Sequence, residues 1–125
     1  MGARAEPPFE VRYERKTADA VVIVVRGELD LVTAEVLREA LNSQEAQASL
    51  TVLDLRSVGF IDSSGLSVVV ARHQHTKAAG NDFVIAVGEA SRVRRLLALS
   101  GLSETLDLVE EPEDVIASGP RPGGV

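Results

Sequence analysis

Two segments near the start of the chain have patterns of apolar residues that are typical of β-strands. Residues 9–14 alternate with a period of two, which predicts a half-buried strand. Residues 20–25 form a continuous run of Ala, Val and Ile, which is typical of a strand buried on both faces. Only a short turn at residues 17–19 separates the two runs, so we expect them to pair as an antiparallel hairpin.

Downstream of this hairpin, the pattern changes to alternating helices and strands. Apolar residues at helical spacing predict helices over 32–46, 63–78 and 89–99, and apolar runs predict strands over 50–55, 83–87 and 106–109, with a last helical turn opening at 110–114. Successive strands that are separated by helices favour parallel pairing through right-handed crossovers. The sequence therefore predicts an α/β fold, with a mixed, mostly parallel sheet of four to five strands and helices packed on it.

The length of 125 residues fits one domain. Proline and glycine are frequent at both ends, which predicts flexible tails over 1–8 and 118–125 and a folded domain over 9–117. No internal repeat is evident in between.

Composition excludes several classes of function. The chain has no cysteine, so disulfides, thiolate metal sites and cysteine nucleophiles are excluded. Its formal net charge of −6 at pH 7 argues against nucleic acid or an anionic membrane as the main partner. No apolar segment follows the N-terminal residues as it would in a signal peptide, so we expect a cytoplasmic protein.

Two junctions between a predicted strand and a predicted helix concentrate the polar residues that could carry function. These are residues 27–33, where we expect the glycine and acids to break the second strand, and residues 60–66. Asp30 or Thr33 is expected near the N-cap of the first helix. On residue types alone, Asp62 or Ser63 is an N-cap of the second helix.

The segment Ile61-Asp62-Ser63-Ser64-Gly65-Leu66 resembles the phosphorylation motif of the anti-sigma-factor antagonists, which form a bacterial STAS-domain family. Three other segments agree in order and spacing: Gly27-Glu28-Leu29-Asp30 with Thr33-Ala34, Leu53-Asp54-Leu55, and Arg95-Leu96-Leu97-Ala98-Leu99-Ser100-Gly101-Leu102. The resemblance covers about residues 10–117. In one departure from the family pattern, Ser67 stands where many relatives have a second glycine.

The resemblance implies a STAS fold and a partner-switching function. Ser63 would be phosphorylated by an anti-sigma factor that is itself a serine kinase. The unphosphorylated chain would bind that factor and release the sigma factor, and a serine phosphatase would restore binding. The implied partner surface comprises Glu28, Asp30, Thr33, Asp62, Ser63, Ser64 and Gly65. Arg72, Ser91 and Arg92 are weaker candidates, for which a solvated helix face is the simpler interpretation.

The charge of a phosphate is itself enough to explain such a switch. A phosphoserine carries about −1.5 to −2 charges at neutral pH. Asp62 is adjacent to Ser63, and Glu28 and Asp30 come close if both junctions share one sheet edge. A dianion placed there is repelled by its surroundings and is costly to desolvate at an interface.

Enzymatic alternatives lack the residues that they need. Ser63 has Gly65 after it but Ile61 before it, so it does not form a nucleophile elbow. His73 is too far along the same helix to act as its base, and residues two apart, such as His73 and His75, point to different faces and do not form a metal pair. We expect no enzymatic activity, no cofactor, no metal and no small-molecule substrate.

Two other functions remain open. The chain could be a STAS subunit of a different signalling or transport assembly, in which Ser63 is never phosphorylated. It could also be a weak nucleotide-binding protein, although no phosphate-cradling loop is present.

Overall fold

A five-stranded mixed sheet forms the centre of the molecule. The computed structural model describes residues 9–89 and 91–116. The strands are β1 (Glu10–Thr17), β2 (Ala20–Leu29), β3 (Leu50–Ile61), β4 (Asp82–Ala86) and β5 (Asp107–Val109); the helices are α1 (Leu31–Asn42), α2 (Ser63–Ala78), α3 (Arg92–Leu99) and α4 (Glu113–Ile116), with 3₁₀ turns at Gln44–Ala46 and Leu102–Glu104. The predicted α/β class and mixed sheet are confirmed.

The strands lie in the sheet in their chain order, β1-β2-β3-β4-β5. β1 and β2 form the predicted antiparallel hairpin, and the other neighbours are parallel. When parallel strands add on one side in chain order, right-handed crossovers bring every connecting helix to the same face. α1, α2 and α3 therefore share one face of the sheet.

The sheet has a large core on that face and a smaller one on the reverse face. The larger core joins strand residues to the three helices; its fully buried members include Ile23, Leu53, Phe83, Ile85, Leu37, Leu41, Val69, Val93 and Leu97. On the reverse face, Val22, Val52 and Ala86 are covered in part by Val115 and Ile116 of α4. Both faces of the central strands are thus buried, which explains their nearly continuous apolar sequence.

β2 and β3 extend well beyond their predicted ends. β3 pairs with β4 only as far as Asp54, whereas β2 and β3 continue together until Leu29 lies opposite Ile61. The expected break is therefore wrong for residues 27–29 and right for Asp30, and the expected strand end at 55 is wrong. The two strands satisfy each other's backbone hydrogen bonds despite their broken apolar pattern, and register shifts absorb the irregularity, one of them beside Gly27 at φ +111°.

Two helices are shorter than the periodicity predicts. α1 ends at Asn42 because Ser43 is extended, and residues 44–46 form a separate 3₁₀ turn. α3 begins at Arg92, after Ser91, whose hydroxyl oxygen accepts a hydrogen bond from the Arg94 amide at 3.0 Å. The predicted tails, 1–8 and 118–125, lie outside the described residues.

One acid of the resembling segments is buried in the sheet. Asp54 on β3 is 5% exposed and accepts two hydrogen bonds from the Arg56 guanidinium, each at 2.9 Å. The pair neutralises the buried carboxylate where β3 leaves β4 and continues with β2. Of the helices in residues 9–89 and 91–116, none is long and apolar enough to cross a membrane.

Candidate functional site

The two predicted junctions lie side by side at one end of the sheet. Leu29 pairs in parallel with Ile61, and the Asp62 amide donates to the Leu29 carbonyl at 3.0 Å. The next residues, Asp30 and Asp62, are the N-caps of α1 and α2. Parallel pairing thus brings two capped helix starts to the same edge, as the sequence predicts for loops that share it.

Asp62 is the N-cap of α2, and Ser63 is its first helical residue. One carboxylate oxygen of Asp62 accepts hydrogen bonds from the amides of Ser64 at 2.9 Å and Gly65 at 3.1 Å. These are donors that a helix start leaves without an intrahelical partner. The Ser63 side chain is exposed, and its hydroxyl makes no hydrogen bond within residues 9–89 and 91–116. The cap therefore occupies the helix amides and leaves the serine hydroxyl available.

At the neighbouring junction, Asp30 and Thr33 form a capping box. The Asp30 carboxylate accepts from the amides of Val32 at 3.1 Å and Thr33 at 3.0 Å. In return, the Thr33 hydroxyl accepts from the Asp30 amide at 2.9 Å, and its one proton is shared between the Glu28 carbonyl at 2.6 Å and the Asp30 carboxylate at 3.0 Å. The hydrogen bond from the Thr33 amide is the main cause that lowers the pKa of Asp30, followed by that from the Thr33 hydroxyl. The junction is thus a closed network that holds an ionised acid.

Gly65 seats the first turn of α2 on the two strand ends. It is buried, and a Cβ at this position would lie 2.8 Å from Ile61 Cγ1 and 2.9 Å from Leu29 Cβ. Both distances are shorter than carbon atoms tolerate, so only glycine allows the helix this close. Among the predicted partner-surface residues, Gly65 is therefore the one that packs inside, while Glu28 and Ser63 are exposed.

Large apolar residues are exposed around the same edge. Leu31 is 75% exposed, Val32 73% and Phe60 46%. Val32 and Val36 belong to the apolar spacing that predicts the first helix, but they are 73% and 46% exposed, and the buried residues of α1 are Ala34, Leu37 and Leu41. This apolar surface is not among the predicted features, although Leu31 and Val32, two adjacent apolar residues directly after the cap, indicate it in the sequence.

A shallow, open depression runs along α2 from Ser63. Its volume is about 420 Å³, and it is lined by Ser63, Leu66, Ser67, Val70, Ala71 and Gln74. Its residues come from consecutive turns of one helix, so it is a surface feature and not an enclosed cavity.

Two of the three weaker candidates, Arg72 and Ser91, make structural contacts. Arg72 donates to the Asn42 side chain of α1 at 3.0 Å, and burial lowers its pKa. Ser91 caps α3, and Arg92 is exposed. None of these residues belongs to either capped junction.

The two histidines differ in environment. His73 is buried, with Nε2 3.3 Å from an Asp107 carboxylate oxygen, and His75 is exposed. Within residues 9–89 and 91–116, no group of three or more His, Cys, Asp or Glu side chains could hold a metal ion.

Comparison with known proteins agrees with this arrangement. The family model of the STAS domain matches residues 13–115. The chain belongs to the STAS domain family. This STAS domain is 32% identical over 105 residues to the anti-sigma-F factor antagonist RsfB of Mycobacterium tuberculosis, covering 83% of this chain and 84% of that protein. It is also 28% identical over 101 residues to the anti-sigma-B factor antagonist of Listeria monocytogenes, covering 80% and 88%.

Solved structures give the same picture of this STAS domain. An anti-sigma factor antagonist from Mycobacterium paratuberculosis superposes with a TM-score of 0.78 at 26% identity, covering 89% of this chain and 93% of the other. The antagonist SpoIIAA in its unphosphorylated form superposes with a TM-score of 0.69 at 23% identity, covering 93% and 98%, and shows the shared fold. These four proteins are each named as anti-sigma factor antagonists.

Replacing Gly65 with alanine tests the seating of α2. The added methyl group must push Ile61 or Leu29 aside, and after the gain in helix propensity we expect a net loss of about 1–2 kcal/mol in the free energy of unfolding. Urea unfolding followed by circular dichroism measures it. Gly59→Ala is the control, because nothing lies within 4 Å of its added Cβ. Equal stability of both variants would contradict the close packing.

The capping box at Asp30 predicts a pH dependence. Its folded-state pKa is lowered, so the stability it contributes is present above the unfolded pKa of about 3.9 and is lost as pH falls through the folded value. Asp30→Asn keeps the cap without titrating. We expect the wild type to lose more unfolding free energy than Asp30→Asn between about pH 6 and about pH 3. Parallel losses in thermal or urea unfolding would show that Asp30 is not stabilised in its ionised form.

Proposed function

We propose that this chain is an anti-sigma-factor antagonist controlled by phosphorylation of Ser63. With a free hydroxyl at Ser63, it binds an anti-sigma factor that has serine kinase activity, and the sigma factor is released. Transfer of the γ-phosphoryl group of ATP to Ser63 Oγ, with loss of the hydroxyl proton, ends that complex. A serine phosphatase restores the hydroxyl. On this proposal the chain acts in the cytoplasm, by binding and not by catalysis.

The observation that carries the proposal is the setting of the Ser63 hydroxyl. It is exposed at the start of α2 and makes no hydrogen bond within the described residues 9–89 and 91–116. The neighbouring Asp62 carboxylate, in contrast, caps α2 by accepting from the Ser64 and Gly65 amides. A hydroxyl that is free in a rigid frame suits modification by a second protein.

The two capped junctions also suggest how one phosphate could act as a switch. Asp62 already holds the Ser64 and Gly65 amides, so a phosphoryl group on Ser63 cannot use these donors without breaking the cap. Asp30 is held as an ionised acid at the adjacent junction. A phosphoserine brings about −1.5 to −2 charges to this edge, where the acids repel it and desolvation by a partner is costly. Loss of binding then requires no change of fold.

The exposed apolar residues supply the attractive part of the proposed interface. Leu31, Val32 and Phe60 lie beside the two junctions, and exposed apolar clusters of this kind mark interaction surfaces. Their burial by a partner would favour the complex of the unphosphorylated chain. Phosphorylation would then oppose it from the centre of the same surface.

The remaining predicted partner residues divide into two roles. Glu28 and Ser64 are proposed to face the partner together with the two acids. Thr33 and Gly65 are proposed to act by holding the junctions in place, because the Thr33 hydroxyl is engaged internally and Gly65 is buried.

Substitution of Ser63 tests the switch. We expect Ser63→Ala to bind the cognate anti-sigma factor and to keep binding after incubation with ATP, whereas the wild type gains one phosphate and dissociates. Ser63→Asp should bind at least about 10-fold more weakly, because it places a fixed charge among the acids. Calorimetry and intact-mass measurement give both readouts.

Ser49→Asp is the matched control for the added charge. Ser49 is exposed immediately before β3, at the opposite end of that strand from Ser63. A charge added there should therefore leave binding unchanged. Equal affinity of Ser63→Ala and Ser63→Asp would contradict the switch. If the wild type binds but gains no phosphate from any cognate kinase, the function is instead that of an unphosphorylated STAS subunit. ATP or GTP turnover by the chain alone would favour a nucleotide-binding enzyme.

A second set of variants tests the apolar surface. Leu31→Ser should weaken anti-sigma-factor binding by about 10-fold, because it removes a large side chain from the interface without disturbing the core. Leu99→Ser is the control, since Leu99 is 79% exposed compared with 75% for Leu31 and lies at the end of α3. Affinity by calorimetry and stability by thermal unfolding are measured for both. Equal affinities would exclude Leu31 from the interface.

A further inference from the structure

Two serines lie one turn apart on the exposed face of α2. Ser63 and Ser67 both line the shallow depression, and both are exposed. The family resemblance accounts for Ser63, but Ser67 is the position at which this sequence departs from the family pattern. Its side chain has no assigned part in the fold or in the proposed switch.

The spacing of the two serines brings their side chains together. Residues four apart on a helix are neighbours, with Cβ atoms about 5–6 Å apart. Every Cα–Cβ bond of an α-helix is also tilted toward the N-terminus, so the Ser67 side chain leans toward Ser63. Its hydroxyl is thus within reach of a group carried on Ser63 Oγ.

The Ser67 hydroxyl is free to donate. Serines within helices commonly donate to the carbonyl four residues earlier, and Ser100 does so to Leu96 at 2.8 Å. Ser67 makes no such bond, and no other side-chain hydrogen bond, among residues 9–89 and 91–116. A serine without an internal partner next to the proposed phosphorylation site is available to a phosphate.

The two helix amides that follow Ser63 are in use, and the depression has no cationic donor. The Ser64 and Gly65 amides are held by Asp62. The described lining of the depression contains no lysine, arginine or histidine. The charged groups of the two junctions are the acids Glu28, Asp30 and Asp62, none of which donates when ionised. Among the side chains that line the depression, Ser67 and Gln74 can donate a hydrogen bond, and Ser67 is the one that lies a single helical turn from Ser63.

We propose that Ser67 donates a hydrogen bond to the phosphoryl group of phosphorylated Ser63 and holds it against the face of α2. The proposal rests on the phosphorylation of Ser63 proposed above. The hydrogen bond stabilises the phosphate dianion among the acids. Ser67 is thereby a positioning residue of the switch that a glycine at this position cannot replace.

The test places phosphoserine at position 63 by genetic encoding, so that no kinase is needed, and follows its ³¹P resonance through a pH titration. A donor to the dianion lowers the second pKa of the phosphate, so Ser67→Ala should raise it by about 0.3–0.5 unit. Ser67→Thr keeps a hydroxyl and should titrate like the wild type. Ser64→Ala is the matched control, because it removes a hydroxyl one residue away on a different helix face.

Repulsion from Asp62 and Asp30 acts equally in all these proteins, so differences between them report the serine hydroxyls. Identical titrations of wild type and Ser67→Ala would overturn the proposal, as would an equal shift in Ser64→Ala. The measurement needs no partner protein. Its failure therefore leaves the Ser63 switch intact, while failure of the switch is seen separately in the binding and mass experiments.

Discussion

The arrangement of this molecule depends on the parallel pairing of β2 and β3 beyond the rest of the sheet. β3 pairs with β4 only as far as Asp54, but β2 and β3 remain paired until Leu29 lies opposite Ile61. Since parallel strands end at the same edge, the helices that follow them begin next to each other. Gly65 completes this geometry, because a side chain there would hold the start of α2 away from both strand ends.

At the edge that this pairing creates, the capping side chains stabilise the fold, whereas the Ser63 hydroxyl does not. One carboxylate oxygen of Asp30 and one of Asp62 accept hydrogen bonds from helix amides, and the Thr33 hydroxyl closes the first junction by binding the Glu28 carbonyl. These hydrogen bonds hold both helix starts in place, and those from Thr33 lower the pKa of Asp30. The Ser63 hydroxyl lies within the same rigid frame without being part of it, so a change at Ser63 alters the surface charge while the fold remains supported.

The same edge combines apolar exposure with negative charge, and the two have opposite effects on a partner. Burial of Leu31 and Val32 by a partner lowers the free energy of the complex. Burial of the acids raises it unless each carboxylate is paired. Because these two effects oppose each other, one added phosphate dianion is enough to weaken the binding of a partner to this surface. The proposed hydrogen bond from Ser67 fits this balance, because it would offer the phosphate a donor on its own helix instead of on the partner.

Sequence alone determined the class of fold, the hairpin, the span of α2 and the four short motifs, because periodicity and cap residues are local properties that neighbours in the chain decide. It also placed Asp30, Asp62 and Ser63 at strand–helix junctions. Only the tertiary structure decided that β2 and β3 extend to Leu29 and Ile61, since backbone pairing does not require an apolar pattern.

It likewise decided that Val32 and Val36 are exposed while Ala34, Leu37 and Leu41 are buried, because helical spacing leaves open which part of a wide apolar stripe meets the sheet. The choice between Asp62 and Ser63 as the cap was open for the same kind of reason. Both residue types can cap a helix, and it is the backbone position set by the β2–β3 pair that directs the aspartate to the amides and the serine to the surface.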